Sequence, residues 1–284
     1  MTSFKLCRRF YTKPRLHNDS WHPWPRPDAR FAVKMALCRD CPPFPRVDIE
    51  AVATRKRTDG KCSLVFLSDL HWNGKMAELY EKLVESINAL EADWIVFGGD
   101  LSVYMDSVDS ALAWLSRLKA KCGKLAVRGN RESIVFWLGW KDWKEVYAKA
   151  GFELLCNQSH DAGNLLFYGV DDRRYGTPDW TELHDDPRPV ISFSHSPDAA
   201  ADASDETFIG DLVLCGHTHG GQLCLPFFGP IYTSSHYGRQ FVHGLQQRND
   251  GTLCFTTSGV GESGFGFFHR RICCPREYVF LTIK

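Results

Sequence analysis

From residue 62 onward, short apolar runs alternate with amphipathic stretches. Residues 62–69 (CSLVFLSD) form an apolar run of strand length. Met76, Leu79, Tyr80, Leu83, Val84, Ile87 and Leu90 then recur at three-four spacing, which predicts a helix. Residues 94–100 (WIVFGGD) predict a second strand, and Val108, Ala111, Leu112, Leu115 and Leu118 a second helix. Residues 123–130 (GKLAVRGN) and 133–150 predict a third strand and a third helix. Such repetition with short connections predicts an α/β sheet whose ligand site lies beyond the carboxyl ends of its strands. The later half predicts mostly strands, over 164–172, 189–195, 211–217, 239–245 and 251–259.

Residues 12–46 differ. Prolines at 14, 23, 25, 27, 42, 43 and 45 argue against long regular structure there. The expectation is an extended arm lying on the body and anchored by Trp21, Trp24 and Phe31. The chain therefore divides into a Pro/Trp-rich basic arm, 1–61, and a globular domain, 62–284. Net charge is zero, yet residues 1–46 hold ten Lys/Arg against three Asp/Glu, so a basic arm precedes an acidic body. Such an arm either approaches an anionic surface or is simply solvated. The acidic body makes nucleic acid an unfavoured partner.

No run approaches the ~18 apolar residues of a membrane span, and the first thirty residues lack the apolar stretch of a signal peptide. Eleven scattered cysteines, an odd number, fit a reducing compartment better than a disulfide framework, so a cytoplasmic location is expected. Cys38 and Cys41 form a C-x-x-C and Cys273 and Cys274 are adjacent, but neither pair has a histidine at zinc-site spacing.

The strand ends carry the chemistry. The first closes on Asp69 and His71, the second on Asp100 and the third on Asn130. Residues 189–195 close on His195, and 211–217 on His217 with His219 beyond it. One strand-end Asp is ordinarily a turn former, and one His a packed surface residue. Seven such groups on five termini, expected in one sheet, form a mixed carboxylate, amide and imidazole set suited to Mn, Fe or Zn. Seven ligands exceed one ion's needs, so Asp100 could bridge two.

The motifs Asp69-Leu70-His71, Gly98-Gly99-Asp100, Gly129-Asn130-Arg131-Glu132, Ser194-His195-Ser196-Pro197 and Gly216-His217-Thr218-His219 resemble, in order and spacing, those of the calcineurin-like metallophosphoesterases. The resemblance covers residues 62–284. It implies a two-sheet β-sandwich flanked by helices. It also implies two divalent ions, one on Asp69, His71, Asp100 and His219, the other on Asp100, Asn130, His195 and His217. Two such ions acidify a water and neutralise charge developing on phosphorus oxygens.

Arg131 stands where most of that family has histidine. Arginine cannot donate a proton at neutral pH, but it can clamp two phosphate oxygens, which suits a leaving group that is itself a phosphate. Residues 169–172, 194–198 and 216–232 and the terminal PREYVFLTIK resemble the family's lipid-associated phosphodiesterase branch, which includes the UDP-2,3-diacylglucosamine pyrophosphatase of chlamydia-type bacteria. The expected substrate is thus a nucleoside-diphosphate lipid, with Arg131 and Asp100 catalytic and a peripheral membrane contact. Residues 134–143, apolar all round the helix, place Phe136, Trp137 and Trp140 either along an acyl chain or beneath the arm. The LPFFGPIY and GFGFFHRR segments offer further aromatic and basic groups, either beside an acyl chain or as ordinary packing. A phosphodiesterase of soluble esters and an inactive binding scaffold are the alternatives.

Overall fold

The computed structural model describes residues 16–39, 43–56, 58, 60–74, 77–134, 140–264 and 270–284. Two seven-stranded sheets face each other. The first runs, in spatial order, β2 (Phe31–Cys38), β3 (Arg46–Ala53), β16 (Tyr278–Ile283), β4 (Cys62–Leu67), β5 (Trp94–Phe97), β6 (Gly123–Val127) and β7 (Glu153–Leu155). The second runs β1 (Trp21–Pro23), β14 (Gly244–Arg248), β15 (Leu253–Thr256), β11 (Leu212–Cys215), β10 (Val190–Ser194), β9 (Leu166–Gly169) and β8 (Gln158–Asp161). A separate two-residue ladder joins β12 (Cys224–Leu225) to β13 (Gly229–Pro230). Strands β4 to β7 are parallel, as are β9, β10, β11 and β15.

Alternation along each strand divides the core into layers. Leu64, Phe66, Val96, Leu125 and Val127 point between the sheets, where they meet Phe193, Leu214 and Phe255. Phe66 and Phe193 stack across the interface, 6.3 Å between ring centres. Val65, Leu67, Ile95 and Phe97 point the other way, into a layer shared with helices α1 (Ala77–Asn88), α2 (Val108–Ser116) and α4 (Trp140–Ala148). A third layer covers the outer face of the second sheet, where Tyr168 and Val213 pack on Trp180 and on α5 (Pro197–Ala201). Burial on both faces explains why these strands read as unbroken apolar runs.

The fold corrects three expectations. The ligand-bearing strands do not share one sheet: β4, β5 and β6 belong to the first, β10 and β11 to the second. A run buried on both faces carries no mark of sheet membership. The Pro-rich stretch is not free of regular structure, because its prolines lie at 23–27 and 42–45 and leave room between them for the eight residues of β2. Trp21 and Phe31 are buried as expected, but as members of strands, and the described part of the arm supplies β1, β2 and β3. The strand expected over 239–245 begins only at Gly244, while Phe241 packs on Trp21. The third helix expected over 133–150 is described as α3 (Asn130–Ile134) and α4 (Trp140–Ala148), with residues 135–139 outside the described residues. Phe136 and Trp137 lie outside the described residues, and Trp140 is described only as the first residue of α4. Trp143 is fully buried whereas Lys144 and Glu145 are exposed, so α4 beyond Trp143 is amphipathic.

Candidate functional site

Each motif occupies the turn that follows its strand. Asp69, His71, Asp100, His217 and His219 all have positive φ, 43–71°. A left-handed backbone at side-chain-bearing residues is uncommon, costs of order 1–3 kcal/mol each, and clusters at functional sites. The flanking glycines permit close approach. A Cβ on Gly129 would lie 2.4 Å from Asp100 Oδ1, and one on Gly216 2.4 Å from Asp69 Oδ2.

The donor atoms converge. His71 Nε2 faces His219 Nε2 at 3.0 Å, and Asp69 Oδ1 lies 3.9 and 3.6 Å from these two nitrogens. His195 Nε2 lies 3.2 Å from Asn130 Oδ1 and 3.1 Å from His217 Nδ1. Proximity alone groups Asp69 with His71 and His219, and again with Asp100 and His195. Asp100 nevertheless divides its oxygens between the two sets: Oδ2 is 3.4 Å from His71 Nε2 and Oδ1 is 3.5 Å from His195 Nε2. All seven side chains belong to buried residues.

Hydrogen bonds behind the site fix these orientations. His195 Nδ1 donates to the Gly98 carbonyl at 2.8 Å, which turns its Nε2 into the site. The His217 ring also meets the Ser234 backbone, while its amide donates to Asp69 Oδ2. Arg271 Nη2 lies 3.3 Å from His219 Nδ1 and donates to the Ser258 and Gly261 carbonyls, both at 2.6 Å. Arg128, which follows β6, holds Asp171, which follows β9, through a two-point ion pair that ties the two sheets together beside the site. Glu132 is fully buried. Its Oε2 accepts from the amides of Gly129 and Asp100, and its Oε1 from the Leu101 amide and the Tyr147 hydroxyl.

The electrostatics call for cations. Burial pushes the Asp69 and Asp100 carboxyls up, Asp100 to about 7, against the pull of His195. Burial and neighbouring positive groups hold His71, His217 and His219 well below the ordinary histidine range. At His195, burial also opposes the charge, but Asp100, Asp69 and Asp172 outweigh it and raise the ring to about 9. Asp69 Oδ1 is buried with no hydrogen-bond partner among the described residues, and the Nε2 atoms of His71 and His219 face each other across 3.0 Å. A buried carboxylate oxygen without a partner needs something positive beside it, and a carboxylate–imidazole set fits divalent ions.

Arg131 sits at the rim. Its amide donates to Asp100 Oδ1 at 2.7 Å, and its charge is among those felt by His71. The guanidinium makes no hydrogen bond or ion pair among the described residues. Sequence reasoning named the seven donors and Arg131 but gave no role to Glu132, Asp172 or Arg271. Glu132 stood inside a recognised motif, three residues after its glycine, whereas Arg271 entered only as the last residue of the GFGFFHRR segment, without a role at the donor site.

This donor-lined edge between two sheets is that of a metal-dependent phosphoesterase, and the chain belongs to the calcineurin-like phosphoesterase family, whose profile matches residues 63–221. It is 30% identical over 211 residues to the Bacillus subtilis metallophosphoesterase YkuE, covering 70% of this chain and 71% of that one. It is 31% identical over 254 residues to an Aquifex aeolicus metallophosphoesterase, with 85% and 92% covered. It is 29% identical over 230 residues to the Escherichia coli phosphodiesterase YaeI, with 78% and 81% covered. It spans only 61–63% of the Helicobacter pylori and Campylobacter jejuni metallophosphoesterases it matches. Family and relatives together indicate a metal-dependent phosphoester hydrolase. Among the described residues no helix is long and apolar enough to cross a membrane. The nine cysteines described are free, and none joins the clustered donors.

Proposed function

We propose that the chain hydrolyses the phosphoanhydride of a nucleoside-diphosphate lipid such as UDP-2,3-diacylglucosamine, using two divalent ions, manganese first, iron or zinc otherwise. Asp69, His71, Asp100 and His219 hold one ion; Asp100, Asn130, His195 and His217 hold the other. The observation that carries the dinuclear reading is Asp100, whose oxygens reach a histidine of each set at 3.4 and 3.5 Å. When bound, the ions supply a nucleophilic water at neutral pH and neutralise the charge developing on the phosphoryl oxygens. The protein holds both sets in register through Glu132, positions its lone pairs through Gly98 and Ser234, and presents the Arg131 guanidinium to the substrate. An unpaired, permanently charged fork beside the donors suits a diphosphate, which is anionic on both sides of the bond cut.

The cytoplasmic side of the membrane is the proposed place of action, supported by the free cysteines. A second reading, hydrolysis of soluble phosphodiesters, is favoured by the likeness to the E. coli phosphodiesterase. An inactive scaffold would have no use for the complete donor set.

One comparison tests these readings. Wild type and Arg131→Ala are reconstituted with manganese, analysed for metal, and offered UDP-diacylglucosamine and a chromogenic phosphodiester. Both proteins should hold two ions per chain. Arg131→Ala should lose on the order of 10²–10³ in turnover of the lipid, and clearly less on the diester. Equal losses would reduce Arg131 to a general phosphate contact. A wild type that cleaves only the diester would transfer the assignment to the second reading, and one ion at saturation would end the dinuclear one.

A further inference from the structure

The ladder of β12 and β13 carries a cluster of exposed apolar side chains. Phe227 is 106% exposed and Phe228 72%, and Leu225, Ile231, Tyr232 and Ile272 are exposed around them. Leu225 pairs with Gly229, so Pro226, Phe227 and Phe228 form the tip, with Phe227 in the left-handed region at φ 67°. The root is firm. Cys224 N donates to the Ile272 carbonyl at 2.9 Å, Ile272 N to the Gln222 carbonyl at 3.0 Å, and Arg239 Nη2 to the Pro230 carbonyl at 3.0 Å. That root begins at Gly221, two residues beyond His219, so the hairpin stands on the rim of the donor cluster.

Two phenylalanines turned wholly outward on a narrow, braced hairpin forgo the burial that such side chains normally obtain. The surroundings say what covers them. Residues 222–239 and 270–276, which build the hairpin and its support, contain no Asp or Glu. Arg239 and Arg270 are exposed beside it. A convex aromatic tip, with Tyr232 and arginines behind, matches the layering of a bilayer surface: hydrocarbon first, then the polar boundary, then anionic headgroups.

We propose that the hairpin of residues 223–232 is a membrane-docking element that inserts Phe227 and Phe228 into an anionic bilayer and sets the donor cluster against the headgroup layer. This goes beyond a contact through the basic amino-terminal residues: the docking element belongs to the catalytic body and lies next to the site. It stands on the hairpin alone and does not depend on which phosphoester is cleaved.

The test is flotation of the full chain with vesicles of phosphatidylcholine and phosphatidylglycerol, comparing wild type with Phe227→Ser/Phe228→Ser. Both proteins carry the same residues 1–46, so any difference belongs to the hairpin. Wild type should partition onto anionic vesicles, and the double variant should lose more than about tenfold in partition. Its melting curve and its turnover of a soluble chromogenic phosphodiester should not change. Equal flotation of the two proteins would overturn the proposal, as would a wild type that ignores the vesicles. A wild-type dimer that the double variant splits into monomers, without vesicle binding, would make the tip a contact between copies and overturn it as well.

Discussion

Glu132 shows how much of a site can rest on a residue that touches no substrate. Its two oxygens accept three backbone amides and a phenol, and those amides belong to Gly129, Asp100 and Leu101, the turns that carry two of the donors. Glu132→Gln keeps the shape but turns an NH2 group towards donors, leaving buried N–H groups unsatisfied at about 1–3 kcal/mol. Partners of this kind, placed behind the metal ligands, typically contribute 10–100-fold to metal affinity or activity. Glu132→Gln should therefore weaken manganese binding by about that factor, read by metal titration, with the loss of turnover partly recovered at saturating metal. Unchanged affinity would show that the Asp100 turn holds itself. The donors were legible because a polar group ending an apolar run is conspicuous. Glu132 was not, since a carboxylate after Asn-Arg reads as solvated until the fold brings the Asp100 turn to it.

At the level of elements, the sandwich depends on how closely its two sheets approach beside the site. Gly169 ends β9, and a Cβ there would lie 2.3 Å from Leu155 Cβ and 2.9 Å from Val127 Cγ1, on two strands of the opposite sheet. Gly169→Ala forces β9 away from β6 and β7 at the place where Arg128 and Asp171 join the sheets, and overpacking of this kind costs about 1–3 kcal/mol. Denaturant unfolding should show a loss in that range. A variant as stable as its parent would mean that the sheets separate locally without cost. Strand and helix positions were mostly readable from periodicity, as in α1 and α2. The assignment of strands to two sheets was not, because β4, β5, β10 and β11 are mostly apolar and buried on both faces, the serines of β10 included. The hairpin was equally opaque: LPFFGPIY has the composition of a core segment, and only the packing shows its rings facing outward.

For the molecule as a whole, the feature with the widest reach is the place of β16. It lies inside the first sheet, parallel to β3 and antiparallel to β4, although it is the last strand in sequence. Tyr278 enters the helix-side core, and Val279, Leu281 and Ile283 enter the layer between the sheets. A ribosome makes a chain from its amino end, so until residues 278–283 emerge the sheet has a slot one strand wide, with β3 and β4 exposing unpaired backbone on either side. Such edges recruit whatever extended segment is nearby. Until residues 278–283 fill the slot, those two edges stand open in the nascent chain. A chain ended at Glu277 should collect in the insoluble fraction, and one ended at Ile283 should stay soluble and active. A soluble, active product from the shorter version would mean that the slot closes without its last strand.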